Sequence, residues 1–386
     1  MFKIKILNKI SKTGLNNFNE NYIFGDNIEK PDAIIVRSFL MQEMEFDDSL
    51  LTIARAGSGI NNIPINKCNE LGIVVFNTPG ANSNAVKELV IAGMLLSSRK
   101  IYQGINWVKN LIGKNSEIQN TIEKEKNIFA GTEIKGKTLG VIGLGAIGIQ
   151  IANAALCLGM EVLGYDPYIS IDNAWGITKS VKKASCMQEV FKKSDYITVH
   201  ITYTEDVKEM FNITAFSQMK RGVKLLNFSR EELINTNDIC YALENGTISC
   251  YVTDFGNEKL LKNENVLVMP HLGASTIESE ENCAVMSVFQ IRNFLENGNI
   301  KNSVNFPNCE MSRDNKFRIT LTHKNIPNMI KKISEKFVKL NINIDNMINK
   351  SRNDNAYTII DTDNNIDYLI IEELKSIKEV TKVRII

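Results

Sequence analysis

The chain has 386 residues, with 45 lysines and arginines against 44 aspartates and glutamates and a formal charge of +1. That length predicts two or three domains with ample sequence for a core, and the even balance of charge excludes a broad polyphosphate-binding surface, so nucleic acid is not an expected partner. The best apolar stretch, Leu89 to Leu96, is too short to span a bilayer, so no membrane partner is expected either.

The opening residues MFKIKILNKI alternate lysine with apolar side chains and lack an unbroken apolar run, which predicts a first strand rather than a signal peptide. Compact apolar runs follow at Ala33 to Val36, Leu51 to Ala54 and Ile73 to Phe76, the last closed by the turn residues Asn77-Thr78-Pro79-Gly80. Such runs predict a parallel sheet buried on both faces. Val86, Leu89, Val90, Gly93 and Met94 then recur at helical spacing behind a cap at Asn82 or Ser83, predicting one long helix. The stretch from Lys109 to Lys126 is polar and surface-lying.

Between Lys137 and about Met286 strand-like and helix-like segments alternate. The expected strands are Thr138 to Ile142, Glu161 to Tyr165, Tyr196 to Ile201, Val223 to Asn227, Ser249 to Thr253 and Val266 to Met269, a doubly wound α/β pattern. Val285 to Leu295 reads as a helix and Gly298 to about Lys316 as a polar linker. The tail is a separate unit. Strands at Phe317 to Leu321, Ile342 to Met347, Tyr357 to Ile360 and Val380 to Ile386 alternate with helices over Met329 to Leu340 and Ile366 to Ile377, giving the βαββαβ order of a ferredoxin-like domain. The seven cysteines (Cys68, Cys157, Cys186, Cys240, Cys250, Cys283, Cys309) are scattered, odd in number and free of CxxC pairs. They read as small apolar residues in a reducing cytoplasm, not as a disulfide or zinc framework.

The first chemical signal is Gly143-Leu144-Gly145-Ala146-Ile147-Gly148. A bare GxGxxG also marks plain turns. Here an apolar strand precedes it, a helix with Ile147, Ile151, Ala154 and Leu158 on one face follows, and the next strand ends in Asp166, about 20 residues on, as in dinucleotide-binding folds. Gly143 permits the tight turn, Gly145 admits a pyrophosphate to the backbone, and Gly148 lets the helix pack close. The helix N-terminus offers free N–H groups to the phosphates. Asp166 accepts from both ribose hydroxyls and repels a 2′-phosphate, so NAD is expected over NADP.

Only three histidines exist, His200, His271 and His323, none with a partner at metal-ligand spacing, so no metal is expected. His200 lies within a predicted strand and reads as a core or sheet-end residue. His323 is in the tail. His271 follows the strand Val266 to Met269 and so sits at the carboxyl end of the sheet, where α/β sheets bind ligands. Hydride transfer from an alcohol needs a base near neutral pH, a carboxylate to tune it and a planar fork to grip the substrate, roles that suit His, Asp or Glu, and Arg. Arg230 and Glu258 stand after predicted strands and are candidates, although Arg230 suits a plain surface position equally well.

Asn227-Phe228-Ser229-Arg230, Asp254-Phe255-Gly256-Asn257-Glu258 and Pro270-His271-Leu272-Gly273-Ala274-Ser275-Thr276, downstream of the glycine loop, resemble the D-isomer-specific 2-hydroxyacid dehydrogenase family. The similarity runs from Val36-Arg37-Ser38 through Arg55-Ala56-Gly57-Ser58-Gly59 to Val304-Asn305-Phe306-Pro307. It implies an α/β architecture of two doubly wound Rossmann-like domains. Residues 1–98 and 287–310 would form the substrate-binding domain, with the NAD-binding domain, residues 99–286, inserted between them. It further implies a catalytic trio of Arg230, Glu258 and His271. By the same resemblance, Ser58, Ala146, Ile147, Asp166, Ser229, Asp254, His271, Gly273 and Ala274 line the NAD site with the three glycines. Arg37, Arg55, Ser58, Gly59 and Arg230 hold a small anionic 2-hydroxy or 2-oxo acid, the two outer arginines on its phosphate or carboxylate. The enzyme would be a cytoplasmic homodimer or homotetramer.

The tail, residues 317–386, resembles an ACT domain, an amino-acid-sensing module. That likeness implies L-serine as effector, held by His323 and Asn325 in the first loop and by Asn343. Several residues depart from the family pattern. Glu231-Glu232 replace Gly-Gly, and two carboxylates beside an anion site weaken binding unless they face solvent. Lys259 replaces a proline, the Asp254 to Glu258 spacing is one residue short, Asn61 replaces Asp, and Asn328 replaces an ACT glycine.

Overall fold

The computed structural model describes residues 1–113, 117–313, 317–362 and 368–386. The chain divides into two compact units, residues 1–82 with 277–386, and residues 83–276. The sequence reading set these crossings at 98/99 and 286/287. The long helix Ser83–Arg99 belongs with the second unit because Val86, Val90 and Met94 join the core of Leu139, Val141, Leu226 and Val252. Gly93 makes that approach possible: a Cβ there would lie 3.2 Å from Val252 and 3.3 Å from Leu226 and Phe228.

In the first unit, β1 (Phe2–Leu7), β2 (Tyr22–Gly25), β3 (Ala33–Val36), β4 (Thr52–Arg55) and β5 (Val74–Phe76) form a parallel sheet in the order β2-β1-β3-β4-β5. β3 is buried at every residue, as its unbroken apolar run predicts. β2, Tyr22-Ile23-Phe24-Gly25 at the sheet edge, is an additional strand not among the expected ones. The helix Ile277–Asn297 starts well before Val285, because its first turns carry Glu278, Glu280 and Glu281 and hide the apolar period that Cys283, Ala284 and Val288 continue.

In the second unit, β6 (Thr138–Ile142), β7 (Glu161–Tyr165), β8 (Lys182–Lys183), β9 (Tyr196–Val199), β10 (Val223–Asn227), β11 (Ile248–Thr253) and β12 (Val266–Val268) form a seven-stranded parallel sheet. Its order is β12-β11-β10-β9-β6-β7-β8. Within the polar stretch Lys109 to Lys126, residues 118–125 are helical, the helix Ile118–Glu125 having no buried residue.

The tail strands β13 (Phe317–Lys324), β14 (Ile344–Arg352), β15 (Asn355–Thr362) and β16 (Val380–Ile385) pair antiparallel in the order β14-β15-β13-β16. The helices Met329–Lys339 and Leu369–Lys375 complete the βαββαβ order, and the first residues of the expected last helix, 366 and 367, lie outside the described residues. Asn328 has φ +69°, a left-handed conformation that explains how asparagine serves where glycine was expected. β15 is buried on both faces: Ile360 packs on Ile333, Phe337 and Leu374, while Tyr357 and Ile359 join Phe76, Phe294 and Phe306 of the first sheet's core. Arg318 on β13 is fully buried, with Nε and Nη2 on the two Asp361 carboxylate oxygens at 2.7 and 2.8 Å. Its other N–H groups donate to the carbonyls of Asn297, Met311 and Ser312 at 2.8, 3.0 and 2.8 Å.

Candidate active site

The strand order of the second unit reverses between β6 and β9, the point where open α/β sheets hold ligands. The glycine loop leaves β6 there. Gly143 has φ +91°, and a Cβ on it would lie 2.5 Å from the His200 carbonyl oxygen. A Cβ on Gly148 would lie 2.0 Å from the Gly143 carbonyl oxygen, so only glycine lets the helix Ala146–Cys157 start so near its own loop. Around Gly145 a Cβ would meet nothing within 4 Å. No side chain of Gly145 caps the N-terminal N–H groups of that helix, which leaves them to a phosphate. Asp166, at the end of β7, is fixed beside the loop. Its Oδ2 accepts the Leu144 N–H and its Oδ1 the Tyr168 N–H, both at 2.8 Å. These residues fit NAD.

Three neighbouring strands, β10, β11 and β12, then carry Arg230, Asp254 and His271 past their carboxyl ends. Asn227 shapes the first turn by accepting the Ser229 N–H at 3.1 Å and donating to the Arg230 carbonyl at 2.8 Å. Ser229 Oγ donates to the Val199 carbonyl at 2.7 Å, and Arg230 Nη1 to the Ser229 carbonyl at 2.7 Å. The buried Asp254 accepts the N–H groups of Leu272 at 3.3 Å and Gly273 at 2.9 Å, which pins the loop just after His271. Burial pushes the Asp254 carboxyl up, against those two N–H groups and the His271 charge, which pull it down.

His271 is exposed and has φ +51°, a left-handed backbone uncommon outside glycine and asparagine and characteristic of functional turns. Its ring meets Phe255 edge-on with centroids 5.3 Å apart. Among the described residues no carboxylate hydrogen-bonds that ring. Glu258 is not brought to it: it opens the helix Glu258–Leu261, capped by Asn257, and its Oε1 pairs with Lys262 Nζ at 2.6 Å with the side chain 84% exposed. The short Asp254 to Glu258 connection starts the helix there and turns the carboxylate to its own i+4 lysine. Glu231 and Glu232 are both exposed, the orientation in which they do least harm to an anion site.

His200 lies just past β9 rather than within it. Its Nε2 is 2.7 Å from Thr198 Oγ1, and burial pushes the ring down to about 3, so it stays neutral as a sheet-end residue.

In the first unit Arg37 and Arg55 stand at the carboxyl ends of adjacent strands, Val36 being paired in register with Arg55. Asn62 links them: its Oδ1 accepts Arg55 Nε at 3.0 Å, and its Nδ2 donates to the carbonyls of Phe39 at 2.8 Å and Arg37 at 3.4 Å. Gly57 leaves room for the guanidinium, since a Cβ there would lie 2.5 Å from Arg55 Nη1. Ser58, beside Gly59 and itself exposed, accepts Asn77 Nδ2 on its carbonyl at 2.7 Å. The buried thiol of Cys283 is pushed up by desolvation, against Thr78 and the charges of Arg37 and Arg55.

Residues 91–273 match the family described as D-isomer specific 2-hydroxyacid dehydrogenase, NAD binding domain. D-3-phosphoglycerate dehydrogenase of Archaeoglobus fulgidus is 35% identical over 295 residues, 74% of this chain and 53% of its own. The Haemophilus influenzae protein of the same name is 28% identical over 363 residues, 91% of this chain and 85% of its own. The NAD+-bound structure of 3-phosphoglycerate dehydrogenase of Entamoeba histolytica superposes with a TM-score of 0.59 at 26% identity, covering 79% of this chain and 98% of that one. Residues 91–273 form an NAD-binding domain like that of the D-isomer specific 2-hydroxyacid dehydrogenases. The chain spans about half the length of the Archaeoglobus relative.

Within that domain the glycine loop follows β6 and Asp166 follows β7. Asn62 was not singled out in the sequence, and Asn227 entered only as part of a motif, without a role. Each is an asparagine in a chain rich in them, and only their bonds mark them out. In the tail, His323 lies within β13 and not in a loop. Its ring is 2% exposed, with Nδ1 2.9 Å from the Lys324 carbonyl and Nε2 2.9 Å from Thr358 Oγ1. Asn325, the exposed neighbour, donates to the Asn353 carbonyl at 2.8 Å, and Asn343 immediately precedes β14. Among the described residues no helix is long and apolar enough to cross a membrane.

Proposed function

We propose that this chain oxidises D-3-phosphoglycerate to 3-phosphohydroxypyruvate with NAD, the first step of L-serine biosynthesis. The observation that supports it most is the line of Arg230, Asp254 and His271 on successive strand ends of the glycine-loop unit. The names of the relatives point the same way. When bound, NAD supplies the hydride acceptor. Arg230 grips the substrate carboxylate and keeps the hydroxyl-bearing carbon in place. His271 takes the hydroxyl proton on a ring nitrogen, and in the reverse direction returns it. The negative charge of Asp254 favours the imidazolium so formed, while Glu258 takes part only on leaving Lys262. Arg37 and Arg55 hold the phosphate. In the tail, an ACT module would take L-serine with His323, Asn325 and Asn343, which requires the His323 ring to become accessible.

The outward Glu258 lends support to a second reading, a slow family member acting on hydroxypyruvate or 2-oxoglutarate or mainly sensing NAD. Steady-state NADH consumption with 3-phosphohydroxypyruvate, hydroxypyruvate and 2-oxoglutarate, each with and without L-serine, separates them. The proposal expects at least about tenfold higher kcat/KM for the phosphorylated acid, a preference of about 1.4 kcal/mol, and inhibition by serine. Equal rates contradict the substrate, and rates unmoved by serine contradict the role of the tail.

A further inference from the structure

Arg37 is already paired within its own unit. Its Nη1 lies 2.7 Å from Oε1 of Glu280, in the first turn of the helix Ile277–Asn297. β1 lies between β2 and β3, so the order of the first sheet reverses beside the end of β3, where Arg37 emerges, with Arg55 on the next strand. Asn62 fixes the Arg55 guanidinium and the backbone carbonyl of Arg37, and two arginines on neighbouring strand ends at such a point make a receptor for an anion. Glu280 adds a carboxylate to the same cluster. Neither member of the pair is deeply buried, Arg37 being 36% and Glu280 45% exposed, so the contact is weak and yields to an incoming ligand. The negative charge stays nearby after it yields.

We propose that Glu280 is a specificity-determining residue, an internal anion that occupies Arg37 in the free protein and discriminates against ligands with a second negative charge. The inference rests on the anion-gripping role proposed above for Arg37. A monoanionic hydroxy acid has no phosphate to place on Arg37 and leaves the Arg37–Glu280 pair intact. A phosphorylated one must displace Glu280 from Arg37 and then bear its field, which salt screens. Glutamine keeps the shape and a hydrogen-bond acceptor for Arg37 and removes only the charge.

The test is calorimetric titration of the full chain, saturated with NADH, with D-3-phosphoglycerate and with D-glycerate, for the wild type, Glu280→Gln and Arg37→Gln. Normal NADH affinity in each variant establishes that the cofactor unit is folded. Glu280→Gln is expected to tighten D-3-phosphoglycerate by about 3- to 10-fold at low salt and less at high salt, with D-glycerate changed by less than about twofold, whereas Arg37→Gln weakens D-3-phosphoglycerate. If Arg37→Gln weakens binding but Glu280→Gln leaves it unchanged or weaker, the discriminating role is overturned while the grip of Arg37 stands. If Arg37→Gln binds like the wild type, or the wild type does not bind D-3-phosphoglycerate, the phosphate-binding reading itself fails and the inference falls with it.

Discussion

His271→Asn is expected to lower turnover with 3-phosphohydroxypyruvate by about 10²- to 10⁴-fold while NADH affinity stays within about twofold of wild type. Asparagine is the informative replacement because it tolerates the positive φ of +51° that His271 adopts. The turn, and with it the Asp254 bonds to Leu272 and Gly273, should survive, so a lost rate reports lost proton chemistry. Glu258→Gln is expected to cost much less, under about threefold, since an exposed i,i+4 pair such as Glu258 and Lys262 contributes little. Stopped-flow rates and NADH fluorescence titration measure both quantities. A Glu258→Gln loss as deep as that of His271→Asn would mean that the carboxylate leaves Lys262 and reaches the ring in the working complex.

Asp361→Ala is expected to destabilise the unit of residues 1–82 and 277–386 by about 3–5 kcal/mol, lowering its thermal midpoint by roughly 6–20 °C. Arg318 is completely buried, and all five of its N–H groups are engaged, two by Asp361 and three by carbonyls of the segment from Asn297 to Ser312. Removing Asp361 leaves that cation in a core with only carbonyl dipoles to neutralise it. The double change Arg318→Met with Asp361→Leu should recover much of the loss, because a well-packed apolar pair of similar volume avoids the desolvation of both charges. Calorimetric scans of the full chain decide this. Equal midpoints for the single and double variants would mean that the segment from Asn297 to Ser312, not the charge pair, sets the stability.

What could be read in advance follows the physics of each element. The three glycines announced themselves because no other residue fits their backbone: the 2.0 Å and 2.5 Å clashes at Gly148 and Gly143 turn composition into geometry. Six of the seven strands of the NAD-binding unit were legible because a parallel sheet covered on both faces writes itself as apolar runs, whereas β8, the exposed pair Lys182–Lys183, has no such run. β2 was not named although Tyr22, Ile23 and Phe24 are apolar; it is an edge strand on which Ile23 and Phe24 stay exposed. The start of the helix Ile277–Asn297 was masked by acidic residues, and one of these, Glu280, faces Arg37. For the site, the strand-end positions of Arg230 and His271 were readable from spacing. The direction of Glu258 was not, because its choice between His271 and Lys262 depends on where a short helix begins. His323 was misplaced for a related reason: β13 runs on through Thr322, His323 and Lys324, and the burial of the polar Thr322 and His323 comes from the tertiary packing of the tail.

The most direct measurement is the pH dependence of kcat/KM for 3-phosphohydroxypyruvate reduction in the wild type and in His271→Asn. Reduction consumes a proton from the imidazolium, so the wild-type rate should fall as pH rises through one ionisation, and oxidation of D-3-phosphoglycerate should rise through the same one. In His271→Asn the small residual rate should be flat across that range. The same ionisation persisting in the variant would contradict the assignment of the proton to His271.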